Sequence, residues 1–326
     1  MFLNSSKSLF LSFMAVGVII SVSCNSWILV WAGMEVFLIS FVPFFCSFGF
    51  VSSECSMSYF LVQSLSSSLF IFSLVFLLMD FDFDFYMNSF LCLSLLLKLG
   101  CAPFHSWVFG VVPGMSYDSL LIFFTFSSLP PFFLLSLISY NLYIFVFLGL
   151  VVGSVGGLNH SSFSKIIGFS SVFNMGFLIY LIKVGSLWLI YFFLYFLMVF
   201  FLVVFLNFYR FDYMNMLFLV GLSFLCKLSF WFLFLSMGGM PPMLGFFVKL
   251  ISIEYSILNK DYFISFFMVI FSLVVMFYYL RCSFISLFIY SFVLKWNFSK
   301  SLSYLNFFSF LSFFLFPLLF LFSGLF

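Results

Sequence analysis

Four ionisable side chains lie inside long apolar runs, Glu35, Lys98, Lys227 and Lys249, and a histidine, His105, follows Lys98 by seven residues. A charge at mid-membrane costs at least ~2.5–3.5 kcal/mol, so each instance needs a reason. Glu35 stands about nine residues into one run, and Lys98 about twelve residues into another, five before Pro103. A carboxylate and an ammonium brought together there compensate each other, and moving one partner changes the proton affinity of the other. That is the chemistry of a proton switch. Lys249 stands seven residues past Pro242, and Lys227 precedes Gly238 by eleven. His105 could relay protons, because imidazole titrates near neutrality. The structural alternative is that Glu35 and Lys98 form a buried ion pair with no transport role, or that the lysines snorkel to the interface. Snorkelling suits Lys165 and Lys183 at run ends; it suits Lys98 and Glu35 poorly, since both have long apolar flanks. For His105 the two readings stand level.

The elements that must position these groups are membrane helices. Of the 326 residues 66% are hydrophobic and 6% charged, whereas a soluble surface needs roughly a quarter of its residues charged. A span takes about 20 apolar residues. Polar interruptions then predict about eleven spans, near 8–24, 27–48, 58–79, 87–106, 117–139, 141–158, 165–182, 186–208, 216–257, 262–290 and 303–324. The ninth is too long for one crossing and carries Gly238-Gly239-Met240-Pro241-Pro242. Two prolines remove two backbone donors, so this segment is expected to be a discontinuous helix facing protein or a watery cavity. Gly100-Cys101-Ala102-Pro103 breaks the fourth span, and Pro130-Pro131 is expected to kink the fifth. Breaks five spans apart suggest an all-α polytopic protein with two inverted five-helix repeats, as transporter folds have. The expected organisation is a single membrane domain over 1–326, with repeat one at about 8–139, repeat two at about 141–290 and a final helix at about 303–324. The plainer alternative is that prolines are simply commoner in membrane helices.

Charge outside the spans gives an orientation. One side collects Lys7, Lys165, Arg210, Arg281, Lys295 and Lys300; the other collects Lys183 and Lys260 with Asp80, Asp82 and Asp84. Six basic residues against two place the N-terminus on the cytoplasm-like side. The Asp-Phe alternation reads as a wet loop, because calcium loops need a glycine-turned, oxygen-rich spacing. Seven cysteines without CxxC spacing read as small apolar residues, and two histidines, His105 and His160, are too few for a metal site of their own. The net charge of +2 includes no basic stripe, which argues against nucleic acid as a partner and leaves membrane lipids.

Five stretches in order resemble a known family. Trp31-Ala32-Gly33-Met34-Glu35 followed by Pro43 resembles the WxGLE…P segment of the NADH dehydrogenase subunit 2 family, membrane-arm subunits of respiratory complex I. Lys98-Leu99-Gly100-Cys101-Ala102-Pro103-Phe104-His105-Ser106-Trp107 is similar to its KLGxAPFHFW signature. Gly157-Leu158-Asn159 with Lys165-Ile166-Ile167 and Ser170-Ser171 resembles GGLNQTxxRKIxAYSS, and residues 236–249, ending in Lys249, resemble LSLGGLPPLTGFLPK. Tyr278-Tyr279-Leu280-Arg281 matches YYLR.

The resemblance implies an antiporter-like fold in a shortened eleven-helix form, in the mitochondrial inner membrane with the N-terminus in the matrix. It implies one of several proton-translocating modules coupled to electron transfer from NADH to ubiquinone, among other membrane-arm subunits of complex I. NAD, FMN, iron–sulfur clusters and ubiquinone would belong to those partner subunits, with no cofactor in this chain. By matching position, Glu35 and Lys98 would be the coupling pair and Lys249 the terminal lysine of the proton path. Three positions depart from the family pattern. Ser128 stands where the family carries a lysine within WQKLAP, Gly110 stands near a family glutamate, and Phe37 replaces an asparagine. A serine orients water but holds no charge at neutral pH. Lys227 has no family counterpart and would compensate if it faced the same cavity. Two other readings stay open: an independent cation/proton antiporter, and a subunit that has lost its ion path and braces its neighbours.

Overall fold

The computed structural model describes residues 5–46, 49–79, 84–138, 142–219 and 224–288. The expected helix at 303–324, Lys295, Lys300 and the aspartates at 80 and 82 lie outside the described residues. The chain divides into two compact units, Met1–Phe145 and Val146–Phe326. Among the described residues seven helical segments are long and apolar enough to cross a membrane, Tyr117–Leu137 being counted as one across a turn at 126–128, and three shorter apolar helices accompany them. The expected total of eleven is not fixed by these residues.

The first unit holds α1 (Ser5–Ser23), α2 (Trp27–Phe45), α3 (Phe50–Leu78), α4 (Asp84–Leu99), α5 (Ser106–Val111), α6 (Tyr117–Thr125) and α7 (Leu129–Leu137). α1 packs along α2, α3 against α2, α4 and α5, and α7 against α4 and α1. The α1–α2 contact is made backbone to backbone: a Cβ on Gly17 would stand 2.8 Å from Gly33 O, and one on Gly33 2.8 Å from Ser21 N. Lipid supplies no hydrophobic drive for helix pairing, so close approach through small residues takes its place.

Two expectations need correction here. The third span begins at Phe50 rather than near 58. Its polar opening is helical because Ser52, Ser53, Ser56 and Ser58 each donate their hydroxyl to the carbonyl three residues back, so these side chains are satisfied within the helix. At 29 residues this helix is about 44 Å long at 1.5 Å per residue. The fifth span is broken rather than kinked. α6 ends at Thr125, a turn covers 126–128, and α7 restarts with Pro130 and Pro131 in its first turn. There the missing N–H groups have no intrahelical role, which is where proline is tolerated. The hydroxyls of Thr125, Ser127 and Ser128 bind the carbonyls of Leu121, Phe123, Phe124 and Thr125, closing the end of α6.

The second unit holds α8 (Tyr143–Gly156, which begins at the boundary), α9 (Phe163–Ile182), α10 (Leu187–Tyr209), α11 (Met216–Leu219), α12 (Phe224–Gly238), α13 (Leu244–Leu258) and α14 (Tyr262–Phe288). α9 is 89% buried along its span, against 17% for α1, so the same apolar composition serves a core helix in one case and a peripheral helix in the other. α10, α12, α13 and α14 pack on one another, and α9 touches α10 and α13. The segment expected at 216–257 is discontinuous, with a non-helical stretch at 239–243 between α12 and α13.

The backbone contact between α1 and α2 leaves no room for a branched side chain. Gly33→Val is expected to loosen the pair at a cost of about 1–3 kcal/mol, seen as a lower thermal midpoint of the membrane-embedded protein; an unchanged midpoint would contradict the contact.

Candidate functional site

Lys98 occupies the last turn of α4 and is buried. Its Nζ lies 3.9 Å from Glu35 Oε1 on α2, 3.8 Å from Met34 Sδ and 6.0 Å from the centroid of the Phe70 ring. The Glu35 oxygen is itself buried without a hydrogen-bond partner among the described residues. The pair is therefore held by Coulomb attraction across a gap, with a thioether and an aromatic face completing the shell of the ammonium. A helix end leaves carbonyls without donors. Here Gln63 Nε2 of α3 donates to Lys98 O at 3.1 Å, fixing the backbone from which the ammonium projects.

Beside the ammonium is a cavity of about 20 Å³, whose lining includes Lys98, Gln63, Tyr59, Ser127, Pro130 and Pro131. This is space for about one water, among several groups able to bond it. The cavity joins the end of α4 to the break between α6 and α7. Of the two adjacent serines, Ser127 and not Ser128 is among its lining residues. Ser128 is buried, with its hydroxyl donating to Phe124 O and Thr125 O. His105 sits in the turn before α5, with Nδ1 3.0 Å from Pro103 O and its ring edge-on to Phe109. It makes no ion pair with the Glu35–Lys98 couple among the described residues.

In the second unit Lys249 is buried on α13. Its Nζ donates to Gly238 O at 2.5 Å and lies 5.6 Å from the centroid of the Phe173 ring. Gly238 is the last residue of α12, so the ammonium sits on the negative end of a half-helix. Gly239 makes this possible: its φ of +81° closes α12 with a left-handed turn, and any Cβ there would stand 2.8 Å from Lys249 Nζ. Lys227 is buried on α12, eleven residues before Gly238, which is about 16 Å along the helix axis. Sequence reasoning missed Gln63, Tyr59 and Ser127. A lone glutamine in an apolar helix carries the same signal as a lone charge, and Gln63 could have been found that way.

Among the described residues no group of three or more His, Cys, Asp or Glu could hold a metal ion. What the geometry does offer is, in each unit, a buried ammonium group at a broken helix among membrane-length helices. This defines a transmembrane module of the ion-translocating, discontinuous-helix type.

The family described as NADH:quinone oxidoreductase/Mrp antiporter, transmembrane, matches residues 24–275. The NADH-ubiquinone oxidoreductase chain 2 of Anopheles gambiae is 34% identical over 317 residues, covering 91% of this chain and 92% of that protein. That of Aedes aegypti is 32% identical, covering 86% and 85%. A chain of respiratory complex I from Thermus thermophilus shares the fold with a TM-score of 0.85 at 20% identity, covering 99% of this chain and 79% of that one. A chain of the Mrp complex from Dietzia has a TM-score of 0.75 at 15% identity, covering 84% and 59%. The chain belongs to the NADH:quinone oxidoreductase/Mrp antiporter transmembrane family, among the NADH-ubiquinone oxidoreductase chain 2 proteins.

The geometry of the Glu35–Lys98 pair predicts a non-additive mutant cycle. Glu35→Leu, which strands the ammonium, is expected to destabilise by about 3–5 kcal/mol, and Glu35→Leu with Lys98→Met to recover most of it. Denaturation of the detergent-solubilised protein measures both; strictly additive losses would show that the two groups do not interact.

Proposed function

We propose that this chain moves protons across the mitochondrial inner membrane as one module of NADH:ubiquinone oxidoreductase, and so acts as part of a translocase while carrying out no redox step itself. The observation that carries this reading is the poor compensation of both ammonium groups. Lys98 stands 3.9 Å from its carboxylate and Lys249 rests on a neutral carbonyl. A purely structural cation in hydrocarbon would be expected to hold a hydrogen-bonded counter-charge. Charges left this loosely paired are ready to change protonation when a neighbouring charge moves. Glu35 and Lys98 serve as the coupling pair, with the water-sized cavity beside Lys98 as the next station toward Ser127. Lys249 serves as the terminal carrier in the second unit. Lys227, buried on the same helix as the break, adds a further titratable group there, while Ser128 and His105 act through the backbone turns they stabilise.

The relatives are named for NADH and ubiquinone. NAD, FMN, iron–sulfur clusters and ubiquinone are accordingly assigned to partner subunits, and other membrane-arm subunits of complex I to the flanks of this chain. The distribution of basic residues supports an N-terminus in the matrix. Two five-helix repeats, at about 8–139 and 141–290, remain our reading of the internal organisation. The reading of the chain as a brace without an ion path has one observation in its favour, the uncharged Ser128 whose hydroxyl is committed to its own helix.

Proton uptake per NADH oxidised, measured in vesicles containing the assembled complex, separates the two. Lys98→Ala and Lys249→Met are each expected to slow NADH-driven proton uptake about tenfold, equivalent to ~1.4 kcal/mol in the barrier. Normal assembly with unchanged rate and stoichiometry in both variants would establish the brace.

A further inference from the structure

The second unit encloses three phenols whose hydrogen-bonding capacity is not fully met among the described residues. Tyr195 on α10 and Tyr278 and Tyr279 on α14 are 1%, 0% and 0% exposed; the hydroxyls of Tyr195 and Tyr278 have no hydrogen-bond partner among the described residues, and that of Tyr279 has only the Ser170 hydroxyl beside it. A buried hydroxyl left unbonded is destabilising, and in native proteins such groups mark ordered water or a functional role. The three form one group. The rings of Tyr278 and Tyr279 lie 4.7 Å apart, and Tyr195 is within electrostatic range of both. Ser170 of α9 gives its own proton to Ile167 O at 2.8 Å, so toward Tyr279 its oxygen acts as acceptor and the phenol oxygen of Tyr279 keeps its own accepting capacity.

This group spans the interval between two fixed points. At one end Tyr279 lies against Gly238, where an added Cβ would stand 3.4 Å from Tyr279 Cβ, and the Gly238 carbonyl is the one that holds Lys249. At the other end the Tyr278 ring lies against Gly157, 2.8 Å from the position of a Cβ there. Gly157 opens the partly exposed turn Gly157–Asn159. Arg281, one helical turn beyond Tyr278, pins this turn by donating to Leu158 O at 2.6 Å and His160 O at 2.9 Å. The side chains of Tyr278 and Tyr279 thus lie between the Gly157–Asn159 turn and the end of α12 at Gly238.

We propose that Tyr195, Tyr278 and Tyr279 line a hydrated access route by which protons pass between the Gly157–Asn159 turn and Lys249. The inference rests on the reading of Lys249 as a proton carrier. A phenol both donates and accepts. Each hydroxyl oxygen takes a proton from the water before it as it releases its own to the water after it, so no phenol gains or loses charge. At the end of the route the neutral amine of Lys249 takes the proton from the last water. The unmet hydrogen-bonding capacity of the three hydroxyls is what the waters of the route satisfy.

Tyrosine-to-phenylalanine changes test this, because they keep the ring and remove the hydroxyl. In vesicles of the assembled complex, Tyr279→Phe and Tyr278→Phe are each expected to slow NADH-driven proton uptake about tenfold, with assembly unchanged. An experimental map of the complex is expected to show ordered water between the three hydroxyls. Lys249→Met is measured beside them. If it stops uptake while the tyrosine variants pump normally, the access route falls and the role of Lys249 stands. If Lys249→Met pumps normally, both fall. Failure of both tyrosine variants to assemble would show the hydroxyls to be structural and would overturn the route, as would a dry, ring-packed gap in the map.

Discussion

In hydrocarbon a free backbone carbonyl and a bare ammonium are each too costly to keep, and this protein places one against the other. α12 stops at Gly238 because Gly239 turns left-handed and two prolines follow, which leaves carbonyls at its end without amide donors. Lys249 returns along the next helix and donates to Gly238 O. Neither half of this arrangement stands alone, since a continuous helix would strand the lysine and an apolar residue at 249 would strand the carbonyl. At the end of α4 the same debt is met differently. Gln63 satisfies the Lys98 carbonyl from a neighbouring helix and so frees the ammonium to face Glu35 and the cavity.

This difference gives the two lysines different characters. Lys98 has a carboxylate within Coulomb range but outside hydrogen-bond range, with a sulfur and an aromatic face as its other near neighbours. Its charge is stabilised by something that can itself be displaced. Among the described residues Lys249 has no ion-pair partner, and it rests on a half-helix end and the Phe173 ring, both fixed by the fold. A signal arriving as charge movement therefore acts on the first site through Glu35, whereas the second has a constant environment. In the proposed path these are the properties wanted of a coupling point and of a terminal carrier.

The sequence made some of this visible and hid the rest for a physical reason. Glu35, Lys98 and the Gly-Gly-Met-Pro-Pro interruption stand out because charge and paired prolines are rare in lipid-facing helices, and their meeting at breaks follows from cost alone. The beginning of α3 was hidden by its serines. Their hydroxyls look polar in a hydropathy reading, yet they are bonded to the preceding turn of the same helix. The break at 126–128 was read as a kink because prolines announce a loss of donors without saying whether the helix resumes in line. Which faces are buried was not legible at all. With 66% hydrophobic residues, the enclosed α9 and the peripheral α1 have similar apolar character all round, and amphipathic periodicity, the usual guide to the core, has little contrast to work with.

The departure at Ser128 can be weighed in the same terms. Where the family resemblance implies a lysine, this chain has three hydroxyl residues among the four from Thr125 to Ser128, and together they bind carbonyls in the last turns of α6. Serine and threonine thus stabilise the helix end that a cation would also favour, without introducing a charge that needs compensation elsewhere. What is lost is a resting place for a proton, and what remains is a water-sized cavity bordered by Ser127, Gln63 and Lys98. A path through this unit would then pass from Lys98 to water directly, with the helix break supplying geometry rather than charge. That would place a larger share of the electrostatic work on the Glu35–Lys98 pair, whose 3.9 Å separation is longer than a hydrogen bond.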